Sequence, residues 1–412
     1  KLRGGGSLEG SAYGVSLRGL WNIYDFWYAT TGEKLQAKTK HARQSLRVAV
    51  HQIVPSLDHI APNGDQPRDH SAAFFDYQRQ FLTELIQLYP NDPFAAKAKA
   101  ILAQTNVPEM ARQETLVWDF LYDDAAVTAA PFETIGTSYY ASGIGQAYSR
   151  SGWDKQATWI NFTAGAYTEA HANQDQGSFL INKGGWLGYD GLIDSASGIV
   201  QETGSQSLIR IASGGTTIKQ MLNTTSTMSA IHKGPGWFYA AGDVTAAYKG
   251  NANISKVQRE ILFIEPNTIV VYDRVVTSPT TTQTWQLVTP VAPTVAGPTA
   301  TISGPHVMNV ARLVPATGAT STAVSLPSYS SEYRGGYRLD TTQTGGDRRY
   351  LHVMSIDGAV SSAVATGDNA ASIHLANGQT ATVTFNHDDI GASLDYNGTT
   401  TTLGAGIDTL AE

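Results

Sequence analysis

Residues 260–272 read Glu-Ile-Leu-Phe-Ile-Glu-Pro-Asn-Thr-Ile-Val-Val-Tyr. Two runs rich in β-branched and aromatic residues, 260–263 and 268–272, flank Pro266 and Asn267, a pattern of strands separated by a turn. Similar short runs recur at 178–181, 207–211, 285–288 and 350–354, punctuated by Gly, Pro and Asn. Regularly spaced strands without intervening helices predict a large antiparallel β-sandwich over residues 131–412.

Upstream of about residue 130 the pattern is helical. Leu17, Leu20, Trp21, Tyr24, Trp27 and Tyr28 fall at three-and-four spacing over residues 11–30, a helix that Gly32 ends. This spacing assigns Trp21, Trp27, Tyr24 and Tyr28, and Trp118 further on, to the core. A second helix is predicted over 38–53, stopped before Pro55, followed by a polar loop over 60–69. Asp69 is placed to cap a third helix with Phe74, Phe81, Leu85 and Leu88 on one side, and shorter helices follow over 93–104 and 108–122. Residues 1–130 are thus a run of antiparallel helical hairpins, too few to close a domain unaided. The Gly-rich start after Lys1 reads as the middle of something larger, with an upstream portion expected to be absent.

The 412 residues suffice for two domains, since one core rarely grows past roughly 250 to 300 residues. Only 15% of residues are charged and the net charge is −7, so nucleic-acid binding has no electrostatic footprint. The absence of cysteine rules out disulfides and thiolate metal sites. No apolar run approaches the roughly 20 residues of a membrane span, and no signal peptide is seen.

The most polar candidate stretch is 171–179, His-Ala-Asn-Gln-Asp-Gln-Gly-Ser-Phe. On an extended strand His171, Asn173 and Asp175 would project from one face. They then either converge as a site or form a polar strand end that satisfies nearby backbone.

This stretch, together with Glu9-Gly10-Ser11-Ala12-Tyr13-Gly14, Asn63-Gly64-Asp65, Arg150-Ser151-Gly152-Trp153-Asp154 and Gly185-Trp186-Leu187, resembles the heparinase II/III-like polysaccharide lyases. Gly242-Asp243 with Tyr248, Arg259, Val270-Val271-Tyr272-Asp273-Arg274 and Tyr350-Leu351-His352-Val353 follow in the order of that family. The resemblance implies an α+β multidomain chain: the C-terminal part of an incomplete (α/α) toroid followed by a large antiparallel β-sandwich, with the substrate cleft between them. It also implies a secreted or periplasmic bacterial enzyme acting on an anionic polysaccharide. An upstream segment or a second chain would complete the toroid.

Such an enzyme cleaves a uronate polymer by β-elimination, which needs a base at C5, an acid at the leaving oxygen and neutralisation of the carboxylate. The resemblance gives Tyr13 the acid or combined acid/base role, against the alternative of an interior helix aromatic. It gives His171, the first histidine of a His-x-His-x-Asp segment in relatives, the role of base or carboxylate contact. Relatives hold zinc with the second histidine, a later aspartate and a further histidine; here Asn173, Asp190 and Gln206 stand at those places. Amides are poor zinc ligands, so no cofactor is expected and a hydrogen-bond network takes its place, with Ca²⁺ the less favoured alternative. The carboxylate neutraliser either lies on helices outside this chain or is replaced by Asn173, Gln174 or Arg150, although Arg150 could instead pair with Asp154. Trp153, Trp186, Trp237 and Tyr239, in Gly-flanked contexts, are candidates to stack on a sugar ring. Two other readings stay open: a non-catalytic carbohydrate-binding scaffold, and a glycoside hydrolase using carboxylates such as Asp65 and Asp69. The identity of the polymer is not encoded in these motifs.

Overall fold

The structure, a computed structural model, describes residues 3–10, 17–64, 72–111, 115–122, 127–169, 171–191, 202–326 and 335–410. Five α-helices stand among the described residues: α1 Arg18–Thr31, α2 His41–Gln52, α3 Asp76–Leu88, α4 Pro93–Leu102 and α5 Leu116–Tyr122. Gly32 ends α1 as the spacing predicts: it adopts φ 74°, and its N–H closes on Tyr28 O at 2.8 Å. α2 stops at Gln52, ahead of Pro55. α3 starts later than expected, at Asp76, because residue 73 is bridged to His59; the predicted cap Asp69 lies outside the described residues. α4 has a cap that the spacing did not reveal, Asp92, which accepts from Phe94 N at 3.0 Å and draws in Arg43 and Arg47.

The helices share a core of Trp21, Leu46, Val50, Phe81, Leu85 and Ile101. The apolar stripe of α1 is wider than the face it buries. Trp21 and Tyr24 are interior, but Trp27 and Tyr28 are 43% and 46% exposed, which corrects their assignment to the core. Trp118 is only partly buried, and its neighbour Phe120 on α5 faces solvent. α1 and α5 both pack on α3, which leaves their far sides uncovered.

From Ser138 onward the described chain is strands and connecting turns, with short 3-10 helices at Thr203–Ser205 and Thr245–Tyr248. A nine-stranded sheet forms the middle layer, with Asp347–Ile356, Thr268–Thr277, Ile254–Ile264, Trp237–Asp243 and Thr227–Gly234 adjacent and antiparallel. The alternation of side chains along these strands serves two cores at once. Ile261, Phe263, Ile269 and Val271 face one way, against Ile160, Phe179, Ile211, Trp285 and Leu287 of two five-stranded sheets. Leu262, Ile264, Val270 and Tyr272 face the other way, against Ile373, Val383, Phe385 and Leu394 of a C-terminal five-stranded sheet. The sheets therefore stack face to face, and 260–272 is the hairpin at the centre of the stack.

The helices meet this stack at one sheet, ordered Ser138–Ala141, Gln146–Arg150, Trp159–Thr163, Phe179–Asn182 and Trp186–Gly188. Val48 and Val54, on and after α2, pack on Tyr148, Trp159 and Leu180. Arg150 makes the polar join: its Nη2 donates to His51 O at 3.2 Å and Ile53 O at 2.6 Å, while Trp159 Nε1 donates to His51 O at 3.0 Å. A helix C-terminus presents orphan carbonyls and partial negative charge, so a cation is well placed there. The Gly-rich start wedges into the same seam. Gly5, at φ 85°, lies so close to α2 that a Cβ would come within 2.1 Å of Gln44 C.

Candidate functional site

Three segments far apart in sequence meet at one end of the seam between helices and sheet. Gly64 adopts φ 63°, and a Cβ on it would lie 2.6 Å from Gly10 Cα and 2.9 Å from His171 O. Only glycine permits that approach. The segment that leads into Tyr13, the Asn63-Gly64 turn and the 171–179 stretch are thereby brought together; Tyr13 itself lies outside the described residues.

The 171–179 stretch differs from its expected geometry. It is a turn-rich loop that enters the strand only at Phe179, so alternation along a strand does not set its side chains. Asn173, Asp175 and Gln176 nevertheless line one cleft, with Asn63, Gln146 and Thr163 opposite. The cleft continues between α2 and α3, past Gln52 and Phe81. His171 sits beside it, partly buried.

Asn173 is almost fully buried. Its Nδ2 donates to Gly64 O at 3.1 Å and, at 3.4 Å, to Asp190 Oδ2, while Gln206 Nε2 donates to Asp190 Oδ1 at 2.9 Å. Asn173, Asp190 and Gln206 thus form a hydrogen-bonded chain. Asn173 Oδ1 and Gln174 Oε1 are buried without a hydrogen-bond partner among the described residues.

The floor of the cleft is a polar group that the motif reading passed over. Tyr148 OH donates to Gln146 Oε1 and accepts from Gln52 Nε2 at 3.1 Å, and Asn63 Nδ2 donates to Gln146 Oε1 at 3.2 Å. Burial pushes the Tyr148 phenol well up, so it is neutral. Asp175 Oδ1 accepts from Gln176 Nε2 at 2.9 Å, and Gln176 Oε1 in turn accepts from Gly165 N at 2.7 Å. Desolvation pushes the Asp175 carboxyl up to about 7. The available signal was the strand-face reading, which paired Asp175 with His171 but gave it no role.

Arg259 holds the loop from below. Its Nε and Nη2 pair with Asp273 at 2.6 and 3.2 Å, and its Nη1 donates to Gly177 O and Ser207 O, both at 2.7 Å. One buried guanidinium therefore ties the end of the 171–177 loop to the segment that carries Gln206.

Several residues expected at a cleft lie elsewhere. Arg150 is buried against α2 with its guanidinium 3.9 Å from the Trp153 ring, and it reaches neither substrate space nor Asp154. Trp153 is a core residue whose Nε1 donates to Ile135 O at 2.8 Å. Tyr239 is fully buried between the middle and C-terminal sheets, where its OH donates to Glu260 Oε2, and Trp237 is buried in the same core. Trp186 is partly buried, edge-on to Trp159 with centroids 6.1 Å apart. Flanking glycines marked turns at these sites, but the turns lead into layer interfaces. Asp65 and Asp69 fall outside the described residues.

Among the described residues, no group of three or more His, Asp or Glu could hold a metal ion, and no helix is long and apolar enough to cross a membrane. No family model and no curated protein matches the chain. Solved structures do. Heparan sulfate lyase HepC from Pedobacter heparinus is 14% identical with a TM-score of 0.65, the match covering 98% of this chain and 59% of that one. A heparinase III is 11% identical at 0.64, over 96% and 59%. Another heparinase III is 14% identical at 0.66, over 97% and 58%. The chain shares the fold of these heparinase-like polysaccharide lyases and spans about three fifths of their length.

Proposed function

We propose that the chain is the sheet-bearing part of a polysaccharide lyase that cleaves a uronate-containing polymer, a glycosaminoglycan in the first instance, by β-elimination. The observation that carries this reading is the meeting of Gly10, Gly64 and the 171–176 loop at one polar cleft, in a fold shared with heparan sulfate lyases.

In that reaction a base removes the C5 proton, the C5–H electron pair becomes the C4=C5 double bond, and the C4–O bond breaks. The leaving oxygen takes a proton from the acid. His171 serves as base or carboxylate contact from the sheet side, and Tyr13 supplies the acid from the helix side. No step is routed through zinc: two carboxamides turned toward one carboxylate do not make a zinc donor set. The helices are read as part of an incomplete toroid, supported by the apolar side chains Ile23, Phe26, Phe120 and Leu121 that α1 and α5 leave exposed. Further helices, from the same polypeptide or another, would cover them; side-chain footprinting that finds Phe26 and Phe120 protected in the isolated chain would remove that support. Secretion or periplasmic residence follows from the same reading.

The direct test is incubation with a panel of uronate polymers while following the ultraviolet absorbance of the unsaturated product. Absorbance that Tyr13→Phe or His171→Ala abolishes is the expected result. New reducing ends without absorbance would favour hydrolysis, and binding with neither would favour a scaffold.

A further inference from the structure

Of the described residues that line the cleft above its Tyr148 floor, Asp175 alone carries a carboxyl, amino, guanidinium or imidazole group. That is an odd furnishing for a cleft that receives a carboxylate-bearing sugar, since two ionised carboxylates would repel where no cation stands among the described lining residues. One oxygen of Asp175 is held by Gln176 Nε2 at 2.9 Å. The Gln176 amide is itself fixed by Gly165 N at 2.7 Å. The titratable groups that face Asp175 are the phenols of Tyr148 and Tyr167, both pushed upward by burial and neutral. On its own loop lies His171, four residues earlier. Arg259 below the loop is committed to Asp273 and two carbonyls, so it offers Asp175 no counter-charge.

We propose that Asp175 works as the neutral acid and donates a hydrogen bond from the oxygen that Gln176 does not hold to the C5 carboxylate of the substrate, thereby supplying the neutralisation that elimination requires. This rests on the lyase reading above. As the base takes the C5 proton, negative charge moves onto the substrate carboxylate and the Asp175 O–H···O bond strengthens with it. When the C4–O bond breaks, the charge returns to form C4=C5 and the proton stays on Asp175, so no net transfer occurs. A carboxylic acid kept neutral by desolvation is a known way to build such a donor. An unprotonated fraction that grows above about pH 7 fits the same role.

The test compares Asp175→Asn, which keeps a donor but does not titrate, with Asp175→Ala, which keeps neither. Wild-type turnover should fall about tenfold per pH unit above about 7. Asp175→Asn should turn over with that fall removed, while Asp175→Ala should lose about 100- to 1,000-fold at every pH. An Asn variant that keeps the wild-type fall, or that is as inactive as the Ala variant although its circular dichroism melt is unchanged, overturns the proposal. A second arm does not need turnover. In a His171→Ala background, calorimetric binding of a saturated uronate oligosaccharide at about pH 8, in buffers of different ionisation enthalpy, should show uptake of one proton per site. Adding Asp175→Asn should remove it. Unchanged uptake, or none to begin with, overturns the role of Asp175. Absence of unsaturated product with proton uptake intact refutes elimination alone.

Discussion

Arg259 is the residue on which loop position and stability depend together, and Arg259→Met separates them. In the folded protein both Arg259 and Asp273 are buried, with side-chain exposures of 2% and 0%. Methionine leaves the Asp273 carboxylate without its cation and the carbonyls of Gly177 and Ser207 without their donor. Removing one partner of a buried pair costs about 3 to 5 kcal/mol. Replacing both partners by apolar groups is often near neutral, so Arg259→Met/Asp273→Leu should recover much of that loss. Recovery stays incomplete because an unsatisfied buried carbonyl costs about 1 to 3 kcal/mol. The expected pattern in urea unfolding is a loss of about 4 kcal/mol for the single variant and about 2 for the double. The single variant carries a pH signature. Burial already raises the Asp273 carboxyl, and without Arg259 it rises further, so the folded state holds the proton more tightly than the unfolded one. Stability of Arg259→Met relative to wild type is then greatest below the unfolded carboxylate range, and it falls as pH rises toward the folded value. Hydrogen exchange should place the loosening at residues 171–178 and 206–208. A single-variant loss under about 1 kcal/mol, or a double variant less stable than the single, would refute the clamp.

Glu84 is fully buried between helices, with Oε1 accepting from Gln80 Nε2 at 2.7 Å and Oε2 without a partner among the described residues. Desolvation, with Asp25 nearby, pushes it up to about 8. Its contribution to stability is therefore complete below the unfolded value near 4 and is lost at about 1.4 kcal/mol per pH unit as pH rises to about 8. Glu84→Gln keeps the Gln80 contact and removes the titration, so the difference in stability between variant and wild type, followed by urea unfolding from pH 5 to 9, should grow by a few kcal/mol in favour of the variant; parallel curves would mean that Glu84 is solvated. The hydrogen-bonded chain Asn173–Asp190–Gln206 makes a separate point. Asn173→His with Gln206→His places two imidazoles against one carboxylate, and this double variant, unlike wild type, should bind about one equivalent of zinc by equilibrium dialysis; failure to bind would show that the three side chains do not converge on one point.

The fold was legible where a local pattern had a single physical reading. Residues 260–272 are a hairpin because Pro266 and Asn267 interrupt two apolar runs, and both faces of each run are apolar because each strand is covered on both sides. Gly32 ends α1 by the conformation expected of it. The misreadings arose where the local pattern lacked the neighbour. Trp27 and Tyr28 continue a stripe whose spacing says apolar, and spacing is silent on whether another helix covers it. The 171–179 stretch alternates as a strand would, yet its backbone turns to bring His171 O against Gly64.

The site divides along the same line. The hydrogen-bonded chain through Asn173, Asp190 and Gln206 was readable because amide and carboxylate have one obvious way to satisfy each other when buried. Arg150, Trp153 and Tyr239 look identical in sequence to cleft residues: polar or amphipathic, beside glycine. What removes them from the cleft is a partner many residues away, the α2 carbonyls for Arg150, Ile135 O for Trp153 and Glu260 for Tyr239. Asp175 shows the converse. A carboxylate in the sequence is by default ionised, and desolvation without a cation among the described lining residues changes that default. The chemistry of this cleft therefore depends less on which ionisable residues the sequence contains than on which of them the fold leaves without a counter-ion.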